Sequence, residues 1–277
     1  MAEEIKGKIH PRLIFGTGAS APKSQEHLYN IVKAALCYGI YRYDTAPSYK
    51  TEKILGTALR TCMKEMDIKR ENLFIQTKID AWQMQNGNIE NFVDKVLCDM
   101  GIVYLDSLLV HWPVPEYMDE TWYEISKLKE VSKVQKIGVC NVRIRQLYEY
   151  EKYDIKPDII QIERHPLRVC QEEIDYCHAN NLSVQCYSPL CKMHPRFREN
   201  MVVRDIAEKY RKSVGQVILR WHIDTGVCPI FTSTKLSRIE EYSQIFDFSL
   251  SEEEICEISS LNENYKMYLE SLAAPGF

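Results

Sequence analysis

The chain has 277 residues, 45% of them hydrophobic and 27% charged, with a formal net charge of −4, a composition and length suited to one large globular unit. Its basic residues are scattered, which argues against a nucleic-acid surface, and no stretch approaches the roughly 18 consecutive apolar residues of a membrane span. Residues 1–10 are polar with no apolar signal core, and the 10 cysteines form no Cys-x-x-Cys pair, so the expectation is a cytoplasmic chain with reduced thiols and no metal site.

Short apolar runs alternate with longer amphipathic stretches. The first strand is expected at 13–15, followed by a helix over 24–37 that sets Leu28, Ile31, Val32 and Ala35 on one face. Strand 41–44 precedes helix 52–62, strand 73–78 precedes helix 89–100, and strand 105–110 precedes helix 120–131. Strand 137–139 leads to helix 143–150, and strand 159–161 to helix 171–179. Strand 183–187 is followed by helices 202–210 and 215–224, and strand 227–231 by helix 236–244. Ser213 with Gln216, and Ser251 with Glu254, are capping boxes that open helices. The strands are mostly continuous apolar runs, as expected for strands covered by helices on one face and packed on the other. Eight strand–helix units predict right-handed crossovers and an α/β fold, a single (β/α)8 TIM barrel spanning residues 1–277.

One segment points elsewhere. Gly16-Thr17-Gly18-Ala19-Ser20-Ala21 fits G-x-G-x-x-A, and Asp44 follows at about the distance of a ribose-binding acid. That fingerprint needs a helix opening inside the glycine loop. Here Pro22 and Lys23 intervene and helical spacing begins at Ser24, so an open-sheet dinucleotide fold is the weaker reading. The Asn181-Leu182-Ser183 sequon is assigned no role.

A barrel places its chemistry at the C-terminal ends of its strands. Asp44 and Lys78 end the second and third predicted strands, Tyr49 lies in the loop between them, and His111 follows the fourth. Their surroundings are Asp44-Thr45-Ala46-Pro47-Ser48-Tyr49-Lys50-Thr51-Glu52, Leu73-Phe74-Ile75-Gln76-Thr77-Lys78 and Val110-His111-Trp112-Pro113. Downstream come Gly138-Val139-Cys140-Asn141, Gln161-Ile162-Glu163-Arg164-His165-Pro166 and Tyr187-Ser188-Pro189-Leu190. In this order the motifs resemble the aldo-keto reductase family, over residues 13–248.

The resemblance implies an NAD(P)H-dependent carbonyl reductase. Tyr49 would be the proton donor, Lys78 would lower its pKa from about 10, Asp44 would hold Lys78, and His111 would bond the substrate carbonyl. Asn141 and Gln161 would hold the nicotinamide carboxamide and Tyr187 would stack on the ring, with Cys140, Ser188, Leu190, Thr232, Ser233, Arg238 and Glu241 completing the cofactor set. Cys140 stands where the family usually has serine, and Ile160 and Tyr242 where it has asparagine. Thr232 stands at its phosphate-binding lysine. A hydroxyl carries no charge to set against a phosphate, so NADPH is expected with NADH as a second possibility. Trp82 and Trp112 are the expected substrate-pocket residues, and the short chain beyond Leu261 implies an open site. The expected partner is a small carbonyl compound, with no nucleic acid or membrane, and the protein is expected to be a monomer. A cofactor-binding scaffold with little catalysis is the alternative.

Overall fold

Each apolar run becomes a strand that pairs in parallel with its neighbours in sequence, until the last returns to the first. In the computed structural model, which describes residues 10, 12–18, 21–22 and 24–268, the strands are β1 (Ile14–Gly16), β2 (Arg42–Asp44), β3 (Phe74–Ile79), β4 (Leu105–Val110), β5 (Val134–Cys140), β6 (Ile159–Glu163), β7 (Ser183–Tyr187) and β8 (Val227–Phe231). The order is β1 to β8, closed by Ile14 opposite Ile230 and Phe15 opposite Phe231. This is the expected (β/α)8 barrel, and its closure excludes the open sheet that the glycine loop suggested. Strand β5 begins three residues before the predicted start because the polar Gln135 and Lys136 interrupt its apolar run.

The surrounding helices are α1 (Gln25–Cys37), α2 (Glu52–Met66), α3 (Ala81–Asn86), α4 (Ile89–Met100), α5 (Pro115–Glu130), α6 (Ile144–Glu149), α7 (Gln171–Ala179), α8 (Pro195–Arg198), α9 (Met201–Tyr210), α10 (Val214–Asp224), α11 (Leu236–Ser243) and α12 (Glu252–Ser259). Ser24 caps α1 by accepting the N–H of His27, and Leu28, Ile31, Val32 and Ala35 are buried as their spacing predicts. Both predicted capping boxes open helices, α10 and α12. Helix α5 starts five residues early because Pro115 occupies its first turn, where proline loses nothing. The short helices α3 and α8 escape a periodicity reading because neither exceeds two turns.

The main core lies between barrel and helices, with Leu13, Tyr43, Ile75, Leu108 and Ile160 among its buried members. Inside the barrel, Leu109, Cys140 and Ile159 form a smaller apolar cluster. A Cβ at residue 138 would lie 2.1 Å from the carbonyl oxygen of Ile159, so only glycine fits there. Gly16 of the glycine loop has a similar reason, since a Cβ there would meet Ile230 Cγ2 at 2.8 Å. Residues 19 and 20 of that loop, the polar stretch 1–9 and the tail from residue 269 lie outside the described residues. No helix among the described residues is long and apolar enough to cross a membrane.

Candidate active site

Parallel strands of matched register deliver their C-terminal ends to one rim of the barrel. Asp44 is the last residue of β2, Lys78 sits near the end of β3 and His111 directly follows β4, its N–H bonded to Ile79 O at 2.9 Å. Pro47–Tyr49 makes one 3-10 turn after β2, ended by Lys50 at φ 58. The turn brings the Tyr49 phenol over the rim, edge-on to the His111 ring at 5.8 Å. The four predicted side chains therefore meet.

Lys78 joins them. Its Nζ lies 2.7 Å from each carboxylate oxygen of Asp44, 3.1 Å from Thr45 O and 3.4 Å from the Tyr49 hydroxyl. Burial alone would favour a neutral amine, but the Asp44 carboxylate overrides it and holds the ammonium charged well above the ordinary lysine range. Burial pushes the Tyr49 phenol up to about 12, against the downward pull of Lys78. This departs from the expected lowering. The charge acts in the predicted direction, but enclosure of the phenol outweighs it, so the Tyr49 hydroxyl keeps its proton at neutral pH.

Two groups around this centre escaped the sequence reading. Gln76 Nε2 donates to Asp44 Oδ1 at 2.7 Å and to Gln185 Oε1 at 2.9 Å, and Gln185 returns a bond to Gln76 Oε1 at 3.0 Å. Gln161 Nε2 bonds Asp44 Oδ1 at 3.2 Å and Gln185 Oε1 at 3.0 Å. Asp44 thus rests on a buried glutamine network in the barrel interior. The second group is Asp80, whose Oδ1 lies 2.5 Å from His111 Nδ1 while its Oδ2 accepts the Ser48 N–H at 2.9 Å. A signal for Asp80 exists, because it lies two residues beyond Lys78 and the period of a strand returns it to the same face.

The residues expected to hold the cofactor fall into two groups. On the rim, Asn141 adopts φ 60, donates from Nδ2 to His111 O at 2.9 Å and accepts the Tyr187 hydroxyl on Oδ1 at 2.7 Å. Asn141 directly follows β5, Gln161 lies in the middle of β6, and Tyr187 ends β7. Ser188 follows at φ 51, and Leu190 packs against the core. Cys140 is wholly buried and burial raises its thiol far above the ordinary value, so it is a packed thiol rather than a reactive one.

The second group lies in the β8–α11 loop. Thr232 is half-buried, Ser233 is buried with its Oγ accepting Lys235 N–H at 3.0 Å, and Arg238 is exposed. Lys235, exposed at the start of α11, is a further cation of this loop. Glu241 is held by the Ser213 hydroxyl, and Tyr242 packs edge-on to Phe231 at 5.4 Å. Trp82 on α3 is 57% exposed and Trp112 is half-buried beside His111. The end of the described chain is tied to the same rim, with Glu163 accepting the N–H groups of Met267 at 2.6 Å and Tyr268 at 3.0 Å. Among the described residues no cluster of His, Cys, Asp or Glu is placed to hold a metal ion.

Comparison with known proteins agrees with this geometry. The family model described as "Aldo/keto reductase family" matches residues 12–263. The chain is 37% identical over 257 residues to the glyoxal reductase of Bacillus subtilis, covering 91% of this chain and 90% of that protein. It is 31% identical to the methylglyoxal reductase DkgA of Escherichia coli K12, covering 94% and 93%. Among solved structures, the Bombyx mori aldo-keto reductase in complex with NADP superposes with a TM-score of 0.86 at 28% identity, covering 95% of this chain and 92% of that one.

Proposed function

The chain belongs to the aldo/keto reductase family and is an oxidoreductase of carbonyl groups, and from that premise we propose that it reduces small aldehydes with NADPH, Tyr49 supplying the proton. The observation that carries this reading is the contact chain Asp44–Lys78–Tyr49, which sets a charged ammonium beside a protonated phenol at the barrel rim.

The residues present fit a nicotinamide dinucleotide. Asn141 and Gln161 offer amide groups to a carboxamide, and Tyr187 offers a ring to stack on. Ser233, Lys235 and Arg238 offer donors and charge to phosphate at the start of α11. Thr232 adds no charge, so Lys235 and Arg238 are the cations for a 2′-phosphate. The bound nicotinamide supplies hydride. His111 then orients the carbonyl oxygen, Tyr49 gives its proton to the forming alkoxide, and Lys78 stabilises the phenolate that remains. Asp44 keeps Lys78 charged and aimed. Trp82 and Trp112 form apolar walls at the mouth. The names of the relatives favour short dicarbonyl compounds such as methylglyoxal as first substrates to try.

The test is a fluorescence titration with NADPH and with NADH, followed by addition of methylglyoxal or an aromatic aldehyde. Tight NADPH binding and its oxidation on adding aldehyde is the expected result. Cofactor binding with no turnover of any aldehyde would overturn the reading and leave a cofactor-binding scaffold.

A further inference from the structure

Asp80 is the first residue after β3. Its backbone N–H is taken by the Gln83 carboxamide oxygen at 2.8 Å, which ties it to the start of α3. Its carboxylate turns toward the rim and touches two residues of the site. Oδ2 accepts the Ser48 N–H at 2.9 Å, next to Tyr49, and Oδ1 faces His111 Nδ1 at 2.5 Å. Burial works against the charged carboxylate, but the bonds from His111 and Ser48 outweigh it and keep Asp80 below its ordinary value. An ionised carboxylate has no proton to give. The proton between Asp80 and His111 therefore belongs to Nδ1.

We propose that Asp80 is a positioning residue that fixes the neutral His111 ring in its Nδ1–H form, so that His111 donates to substrate through Nε2 only when charged and accepts there when neutral. The inference rests on the reading of His111 as the residue facing substrate oxygen. A carbonyl oxygen needs a donor, and an alcohol hydroxyl needs an acceptor. The charged ring thus suits the aldehyde and the neutral ring suits the alcohol product. The groups facing His111 are Asp80 from the loop after β3, Lys78 from β3, Asp44 from β2 and Tyr49 from the turn after β2. Burial and the Lys78 charge together lower His111 below its ordinary value, against the two carboxylates. The switch from carbonyl binder to alcohol binder therefore falls on the acid side of neutrality.

Asp80→Asn changes the logic with little change of shape. The Ser48 N–H needs an acceptor, so the amide oxygen turns toward it and the amide N–H₂ turns toward Nδ1. Neutral His111 would then carry its proton on Nε2 and donate at every pH.

The first test is long-range ¹H–¹⁵N NMR of the full-length protein with labelled histidine, from pH 5 to 9. Neutral His111 is expected as the Nδ1–H form in the wild type and as the Nε2–H form in Asp80→Asn. An Nε2–H ring in the wild type overturns the proposal, whether or not the enzyme turns over. The second test is the pH dependence of KM. In the wild type, KM for aldehyde should rise by up to about tenfold per pH unit above the His111 pKa, while KM for the alcohol falls. In Asp80→Asn the KM for aldehyde should be flat from pH 6 to 8, and a profile unchanged from the wild type overturns the assignment. If the wild type reduces no aldehyde, the reading of the site as a reductase fails, and the NMR result still decides the role of Asp80.

Discussion

Lys78 holds its Nζ 2.7 Å from both carboxylate oxygens of Asp44, and the two side chains are 0% and 4% exposed. A buried pair of this kind adds little over an apolar pair, but removing one partner strands a charge. Asp44 also accepts Gln76 and Gln161, so its loss leaves an ammonium and two amide donors without their anion. Asp44→Asn is expected to cost roughly 3–5 kcal/mol, read from the urea unfolding midpoint at pH 7. A cost below about 1 kcal/mol would mean that Lys78 is not held by this carboxylate.

Tyr49→Phe keeps the ring and its edge contact with His111 but removes the proton. General acid catalysis is worth about 10²–10⁴-fold, so kcat should fall by that factor. The dissociation constant of NADPH should stay within about twofold, because no cofactor-holding group is touched. A variant with near-normal kcat would reassign the proton donor. Burial pushes the phenol up to about 12, so it stays protonated throughout the neutral range and loses its proton only as the pH climbs toward that value. Any loss of reduction between pH 6 and 9 then belongs to another group, and His111 is the one placed to cause it.

The parts of the site legible in the sequence are those whose side chains sit near strand ends within local motifs. Asp44, Lys78 and His111 ended or followed apolar runs, and the barrel brought them together. Eight strands were legible because most are short apolar runs enclosed by polar turns. What stayed hidden depends on contacts across the barrel. Gln76 and Gln185 are 109 residues apart, and each alone reads as a polar interruption of a strand. Asp80 gains its meaning only when the fold sets its carboxylate against His111. The direction of the Tyr49 shift was also not legible, since Lys78 is visible in the sequence but the depth of burial that opposes it is not.

The cysteines differ in access. Cys98 and Cys256 are exposed, whereas Cys140 is wholly buried at the end of β5 with its thiol held protonated by burial. The thiolate is the form that reacts. Iodoacetamide at pH 8 is therefore expected to modify Cys98 and Cys256, to spare Cys140 and to leave turnover intact, with sites assigned by mass spectrometry. Modification of Cys140 in the native protein, with parallel loss of cofactor binding, would show that the end of β5 opens in solution.

On the proposed reading, the β8–α11 loop sets the choice between the two nicotinamide cofactors. Thr232 is a half-buried hydroxyl beside Gly16, with its Oγ1 3.1 Å from where a Cβ at residue 16 would stand. Lys235 and Arg238 lie exposed at the start of α11. Thr232→Lys adds a third cation to this loop, and a phosphate there gains a charge-assisted bond that a bare ribose hydroxyl does not need. NADPH should bind about tenfold more tightly, about 1.4 kcal/mol, with NADH little changed. Arg238→Ala should weaken NADPH selectively and reduce the salt dependence of its binding, because an exposed cation acts through a screened field. Equal effects of Thr232→Lys on both cofactors would place the 2′-position of the ribose elsewhere and leave the loop without a part in the choice.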